Sequence, residues 1–413
     1  MKKLLALLLA VAMLACLFAG CKGNTEETDA PTDEVTEAPT DEVTEAPTDE
    51  PAPAAEWRVA MITDYGDITD QSFNQTTYEA GKAWCEERGI DFTYYKPTGD
   101  STAERVAMID AAVADGYNVL LMPGFAFADT VKETAELYPD VKYIVLDVGA
   151  GDYGDYVLPE NVYSAVYQEQ YPGYMAGYAA VKLGYTKLGF LGGMAVPAVQ
   201  RYGYGFVQGV DAAAAELKLT DVKLNYAYGN QFFGDADITA AMDTWYAGGT
   251  EVVFACGGGI YTSAVDAAKK VEGAKVIGVD VDQAGVIANY AAGEGADAAT
   301  IEGYKALTVT SAMKGLYPAT YDTLTDVIVN GNWEKYSAKI DTLGLVSADD
   351  PAANYVQIPL ESTQWADGAF TQDDYKALVK AMFDGTLTVS NDTTKAASDF
   401  ATVITVEDLG NIK

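Results

Sequence analysis

From Trp57 onward the chain alternates short apolar runs with amphipathic stretches, and that rhythm limits its fold more than any other feature. The first series runs "WRVAMITD", a helix "SFNQTTYEAGKAWCEERG", "DFTYYKPT", a helix "TAERVAMIDAAVADG", "NVLLMPG", a helix "FADTVKETAELYP" and "KYIVLDV". The second runs "KLGFLGGM", a helix "AVQRYGYGFVQGVDAAAAELK", "KLNYAYG", a helix "ADITAAMDTWYAGG", "EVVFACGGG", a helix "YTSAVDAAKKVEG" and "KVIGVDVD". Apolar residues at i, i+3 and i+4, as in Val106, Ile109 and Val113, mark the helices, and the brief β-branched runs mark strands. Strands joined through helices pair in parallel and are covered on both faces, so each series predicts one doubly wound α/β lobe. A chain of 413 residues exceeds one ordinary core, which agrees with two lobes.

Ligands of open α/β sheets sit beyond the carboxyl ends of the strands. The segments there are "TDYGD", "MPGF", "LDVG", "GGM", "YGNQFFGD", "CGGG" and "GVDVDQ". Asp64, Asp147, Asp280 and Asp282 fall in them, and carboxylates suit the vicinal hydroxyls of a ribose or sugar. Each could instead cap the following helix. Phe73, Phe125, Phe232, Phe233 and Tyr261 stand at or just after strand ends. Any one could be a core residue, yet two rings from opposite lobes could hold a planar base between them. "CGGGIYTSA", which contains Gly258, lacks the GxxxxGK[ST] spacing of a phosphate loop, so its backbone donors suit neutral ligand atoms better. "DITDQS" lacks the twelve-residue calcium-loop pattern.

The chain holds 61 acidic and 26 basic side chains, a formal charge of -35, and no histidine. Such a surface repels nucleic acid and anionic headgroups. Without histidine, Ser/His and Cys/His triads and His-ligated zinc are excluded, and nothing in the pattern asks for a cofactor or metal. "MKKLLALLLAVAMLACLFAGC" reads as a secretory signal, its apolar run too short to span a bilayer. "APTDEVTE" from Ala30, repeated from Ala38 and begun again at Ala46, predicts an acidic, disordered tether over residues 22–56. Cys85 and Cys256 fall in different lobes and are expected to be buried free thiols.

Eight blocks in order resemble the basic membrane protein family of ABC-transporter substrate-binding lipoproteins, whose nucleoside-receptor branch is the best understood. They are "TDYGDITDQSFNQ", "VLLMPGFAFADTV", "YIVLDVG", "GGMAVPAVQRYGYGFVQGV", "NQFFGDA", "VVFACGGGIYTSAVDAAK", "GVDVDQ" and "TSAMKGLYPATYDTL". "LFAGC" resembles a lipobox, which implies a signal segment and lipobox over residues 1–21, acylation at Cys21 with release of the residues before it, and a lipid anchor on the extracytoplasmic face of the cell membrane. The resemblance implies a type I periplasmic-binding-protein fold, two Rossmann-like lobes closing on a ligand, with an ABC permease and ATPase as partners. Position by position, Asp64 looks like the base-binding acid and Phe73 like a stacking ring, with Ser72 and Asn74 beside it. Asp280 and Lys314 look like the ribose pair. Phe232, Phe233 and Tyr261 all qualify as the opposing ring. The stretch from Ala284 to Val309 is longer than the pattern, so Lys305 competes with Lys314.

The expectation is a non-enzymatic receptor that binds a nucleoside, a purine by preference. The alternative keeps the fold and binds a sugar, a free nucleobase or a signalling molecule. A nucleoside hydrolase would need a dense Asp cluster or a histidine acid, and the chain offers neither. The expected lobes are 57–164 plus 298–332, and 165–297 plus 333–413.

Overall fold

The computed structural model describes residues 56–413. Cys21, the signal segment and the tether up to residue 55 lie outside the described residues. No helix among the described residues is long and apolar enough to cross a membrane.

The first lobe is laid down as β1 (Arg58–Ile62), α1 (Phe73–Arg88), β2 (Asp91–Tyr95), α2 (Thr102–Ala114), β3 (Val119–Pro123), α3 (Phe127–Thr134), β4 (Lys142–Leu146), the short α4 (Ala150–Tyr153) and β5 (Val162–Tyr167). The chain then crosses to a second lobe. It runs through α5 (Gln170–Lys182), β6 (Lys187–Gly192), α6 (Pro197–Leu217), β7 (Lys223–Tyr228), α7 (Ala236–Ala247), β8 (Val252–Cys256), α8 (Tyr261–Ala268), β9 (Lys275–Asp280), α9 (Ala284–Ala292), α10 (Ala298–Lys305) and β10 (Thr308–Lys314). It recrosses for α11 (Leu316–Leu324) and β11 (Lys339–Leu343), then returns to the second lobe as β12 (Val356–Gln357), α12 (Gln372–Phe383) and β13 (Thr405–Asn411).

The first sheet has the order β11-β5-β4-β3-β1-β2 and the second β12-β10-β9-β8-β6-β7-β13. Every pairing is parallel except that of β10 with β12. In both sheets the chain starts at the middle and winds outward both ways, leaving a switch point between β1 and β3 and another between β6 and β8. These are the two doubly wound lobes expected from the βαβ rhythm, in the type I binding-protein architecture that the resemblance implies.

The expected lobe limits need correction. Thr308–Lys314 pairs with β9 and so belongs to the second sheet, although the sequence reading put it in the first lobe. Lys339–Leu343 pairs with β5 and belongs to the first, not the second. Both are short strands without a turn signal that ties them to a neighbour, β10 buried and β11 a half-exposed edge strand, so their residues do not reveal which sheet receives them. The chain therefore crosses three times: at 168–169, at Gly315, and between Leu343 and Val356. The region after Ser337, which the sequence left unplaced, supplies β11, β12, α12 and β13.

Cores form on both faces of each sheet. Trp84 and Cys85 of α1 pack with Leu121 and Ile144 of the sheet and with α11, and Phe190, Phe206, Phe254 and Tyr226 fill the larger lobe. Cys85 and Cys256 are free and buried, as expected. The α5–α6 pair lies unusually close. A Cβ on Gly173 or Gly177 would run into the carbonyl oxygens of Tyr202 and Phe206, and one on Gly205 or Gly209 into those of Gln170 and Tyr174. Four glycines facing the partner backbone bring the helices into main-chain contact.

Candidate functional site

The loops beyond both switch points meet around one cavity of about 380 Å³. Lobe 1 contributes the loop from Asp64 to Asn74, Gly124–Phe125 and Asp147, and lobe 2 contributes Val196–Val199, Tyr202, Phe232–Phe233, Cys256–Gly259, Asp280 and Lys314. The lobes touch directly across it. Ser72 Oγ donates to Asp280 Oδ2 at 2.6 Å, Gln283 Nε2 donates to the Gln71 carbonyl at 3.1 Å, and Tyr65 OH reaches Met194 Sδ at 3.1 Å.

The three acids crowded ahead of Phe73 have separate tasks. Asp70 caps α1, accepting from the backbone N–H groups of Ser72, Asn74 and Gln75. This frees the Ser72 hydroxyl, at the N-cap position, to reach the other lobe. Asp67 pairs with Lys96 at 2.6 Å on the rim. Asp64 turns one oxygen, Oδ1, to the N–H groups of Tyr65 and Gly66 at 2.7 and 2.8 Å, leaving Oδ2 at the cavity wall. Burial pushes its carboxyl up to about 6 despite those two donors.

At the other end a charge cluster surrounds Lys314. Its Nζ lies 2.5 Å from Asp147 Oδ2, 3.7 Å from Glu169 Oε1 and 3.9 Å from Asp280 Oδ1, and covers one face of Phe73 at 4.5 Å from the ring centre. Burial alone would loosen its proton, but Asp147, Asp280 and Glu169 outweigh burial and hold it above the usual lysine range. Burial raises Asp280, against the pull of Lys314 and the hydrogen bond from Ser72. Tyr202 OH also donates to Asp280, at 3.3 Å. Two polar atoms at the cavity, Asp147 Oδ1 and Asn74 Oδ1, are buried without a hydrogen-bond partner.

Among the residues singled out from the sequence, Asp64, Phe73, Asn74, Phe125, Asp147, Phe232, Phe233, Gly258, Asp280 and Lys314 line the cavity. Ser72 stands behind it, holding Asp280. Two do not reach it. Asp282 accepts from the Ala284 N–H at the start of α9, the capping role left open for any Asp at such a junction. Tyr261 packs edge-on to Tyr290 with ring centres 5.8 Å apart. Lys305 sits in α10, paired with Glu302 at 2.7 Å, because the long 284–309 stretch folds into two helices of its own. Tyr65, Tyr202, Glu169 and Arg201 escaped the sequence reading. The two tyrosines look like core residues, and Glu169 and Arg201 like solvated charges at helix starts.

Comparison with known proteins follows the geometry. Among solved structures, the fold is similar to an ABC transporter solute-binding protein from Aeropyrum pernix K1, with TM-score 0.61, 21% identity and coverage of 83% of this chain and 90% of that one. A solute-binding protein from Conexibacter woesei DSM 14684 gives TM-score 0.57 at 22% identity, over 81% and 99% of the two chains. By sequence, the ABC transporter nucleoside-binding protein BmpA of Lactococcus lactis subsp. cremoris is 30% identical over 238 residues, 55% of this chain and 64% of the relative, so less than two thirds of its length is spanned. Basic membrane protein B of Borreliella burgdorferi is 26% identical over 70% of this chain and 78% of its own. Residues 57–350 match the family model described as ABC transporter substrate-binding protein PnrA-like. The protein whose two α/β lobes meet around this cavity therefore belongs to the PnrA-like (Bmp) family of ABC transporter substrate-binding proteins.

Proposed function

We propose that the protein is the extracytoplasmic receptor of an ABC importer and binds a nucleoside, a purine by preference, between its lobes. The family is one of binding proteins, not enzymes. The observation that carries the ligand class is the cavity's division into two unlike ends. Asp64 offers a free carboxylate oxygen at one end, and Lys314, Asp147 and Asp280 cluster at the other, with Phe73 and Phe232 on the walls from opposite lobes. A base has donors on its edge and two flat faces, and a ribose has hydroxyls that can both donate and accept. Each half of a nucleoside thus meets groups of matching kind, and about 380 Å³ suits one small molecule.

Charge sharpens the choice. Asp64, Asp67, Asp70, Asp147 and Asp280 line the cavity against Lys96 and Lys314. A phosphate would add negative charge to that excess, so the free nucleoside fits and the nucleotide does not. Binding proceeds by closure of the lobes about the three crossings, with no covalent step. Delivery to a permease and ATPase, and anchorage through a lipid on Cys21, complete the reading.

The test is isothermal titration of protein unfolded and refolded to remove carried ligand, against nucleosides, their monophosphates, free bases and simple sugars. Tight binding of a purine nucleoside with weak binding of its monophosphate is expected. A response to a sugar or base and none to nucleosides would discard the ligand and keep the fold.

A further inference from the structure

Lys314 has three carboxylates around it but hydrogen-bonds to only one. The three come from different parts of the machine: Asp147 from lobe 1, Asp280 from the sheet of lobe 2, and Glu169 from the first crossing at the start of α5. Glu169 is fully buried. Its Oε2 accepts from Arg201 Nε at 2.6 Å, and its Oε1, the atom facing Lys314, has no hydrogen-bond partner. A buried carboxylate oxygen left without a donor is costly, so its place beside an ammonium asks for a reason.

Opening the cleft supplies one. Lys314 ends β10 in the second sheet, whereas Asp147 and Phe73 belong to lobe 1. When the lobes part, Lys314 loses both its 2.5 Å acceptor and the ring it covers. Glu169 and Arg201 stay with lobe 2, since α5 and α6 are in main-chain contact. The free Oε1 then lies only a short side-chain shift away.

We propose that Glu169 is the second acceptor of the Lys314 ammonium, taken up when the lobes part, and that exchange of Lys314 between Asp147 and Glu169 sets the balance of open and closed protein. Arg201 is the positioning residue that keeps Glu169 aimed. The exchange gives the open form a close acceptor to add to Asp280, which lies 3.9 Å away in the same lobe, so neither state is trapped. It rests on the reading of the cleft as a closing binding site, but not on the identity of the ligand.

Glu169→Gln tests it with little change of shape. The Gln carbonyl still accepts from Arg201, while its amide offers Lys314 a donor where it needs an acceptor. Asp147→Asn removes the negative charge that holds Lys314 in the closed state and suits the left-handed backbone there. Amide hydrogen exchange would be followed in the full chain, refolded without ligand, at residues 64–74 and 257–260. Glu169→Gln should slow exchange severalfold by favouring the closed form, and Asp147→Asn should speed it severalfold. A purely structural Glu169 would speed exchange on substitution or leave it unchanged, and either result overturns the proposal. Should Glu169→Gln fail to fold, unchanged exchange in Asp147→Asn is enough to overturn it. Titration of the unaltered protein with adenosine and guanosine is read separately. Failure to bind them sinks the nucleoside reading and leaves the exchange result standing.

Discussion

After the fourth strand of lobe 1 stands Asp147 with φ 65°, and at the end of the fourth strand of lobe 2 stands Asp280 with φ 64°. Both turn left-handed, a conformation Asp tolerates better than most residues, and both aim a carboxylate at Lys314. The third strands match as well: Gly124 and Gly257 follow them with φ 141° and 146°. At those glycines the likeness ends. A Cβ on Gly124 would meet the Asp64 carboxylate, and a Cβ on Gly257 would meet the Phe232 ring. What lobe 1 fills with a charge, lobe 2 fills with an aromatic face, and Gly193 gives that ring the room it needs. One backbone plan, used twice, thus yields a site whose floor is shared and whose walls differ. The symmetric part holds the cation, and the asymmetric part distinguishes one ligand from another.

If the shared floor depends on one cation, Lys314→Met should have the largest effect. It leaves Asp147, Asp280 and Glu169 buried without their common partner, and breaking such a set costs about 3–5 kcal/mol. Thermal unfolding should shift down sharply and nucleoside binding should vanish. A small shift would mean that the lobes are not joined through this charge.

The charged wall of lobe 1 should show itself in pH. Burial raises Asp64 from 3.8 to about 6, so between those values the folded chain keeps a proton that the unfolded chain has released. Stability from this group therefore falls as pH rises through that window, by about 3 kcal/mol in all, since each unit is worth about 1.4 kcal/mol. Asp64→Asn should raise the melting temperature at pH 8 and change it little at pH 4, while weakening nucleoside binding at pH 8. Equal effects at both pH values would remove the carboxylate from the ligand-reading role.

The two rings can be weighed against each other. Phe73→Ala and Phe232→Ala should each weaken nucleoside binding by about 1–3 kcal/mol, the usual range for one base–aromatic stack. Titration of both variants decides whether the base lies between the lobes. If only one substitution matters, the ligand stacks on a single lobe and the sandwich fails. Smallest of all, Asp282→Ala should cost about 0.5–1 kcal/mol of stability as a lost cap and leave binding unchanged. Altered binding would return Asp282 to the site.

Much of this was legible before any coordinates. Alternation of strand and helix gave both sheets, because a βαβ unit dictates parallel pairing whatever its side chains. Asp64, Phe73 and Asp280 stand at or just after the strand ends that the pattern marks, Lys314 came from the family resemblance alone, and all four line the cavity. The exchange of β10 and β11 between lobes was not legible, since a short strand that follows a crossing carries no address for its sheet. Nor was the separation of Asp280 from Asp282: two residues apart, one faces the cavity and the other caps α9, a difference made by the left-handed turn at Asp280. Glu169 and Arg201 were hidden for a related reason. Charged residues at helix starts usually face water, whereas this pair is buried against α6 and Lys314.

The contact of α5 with α6 has a mechanical consequence. Helices separated by a layer of side chains can slide past each other by repacking, but α5 and α6 meet backbone to backbone at four glycines and have no such layer to deform. Shear within lobe 2 is blocked, and compliance is left to the three crossings. The lobe should swing as a rigid lever, delivering a displacement at its root to the far rim undiminished.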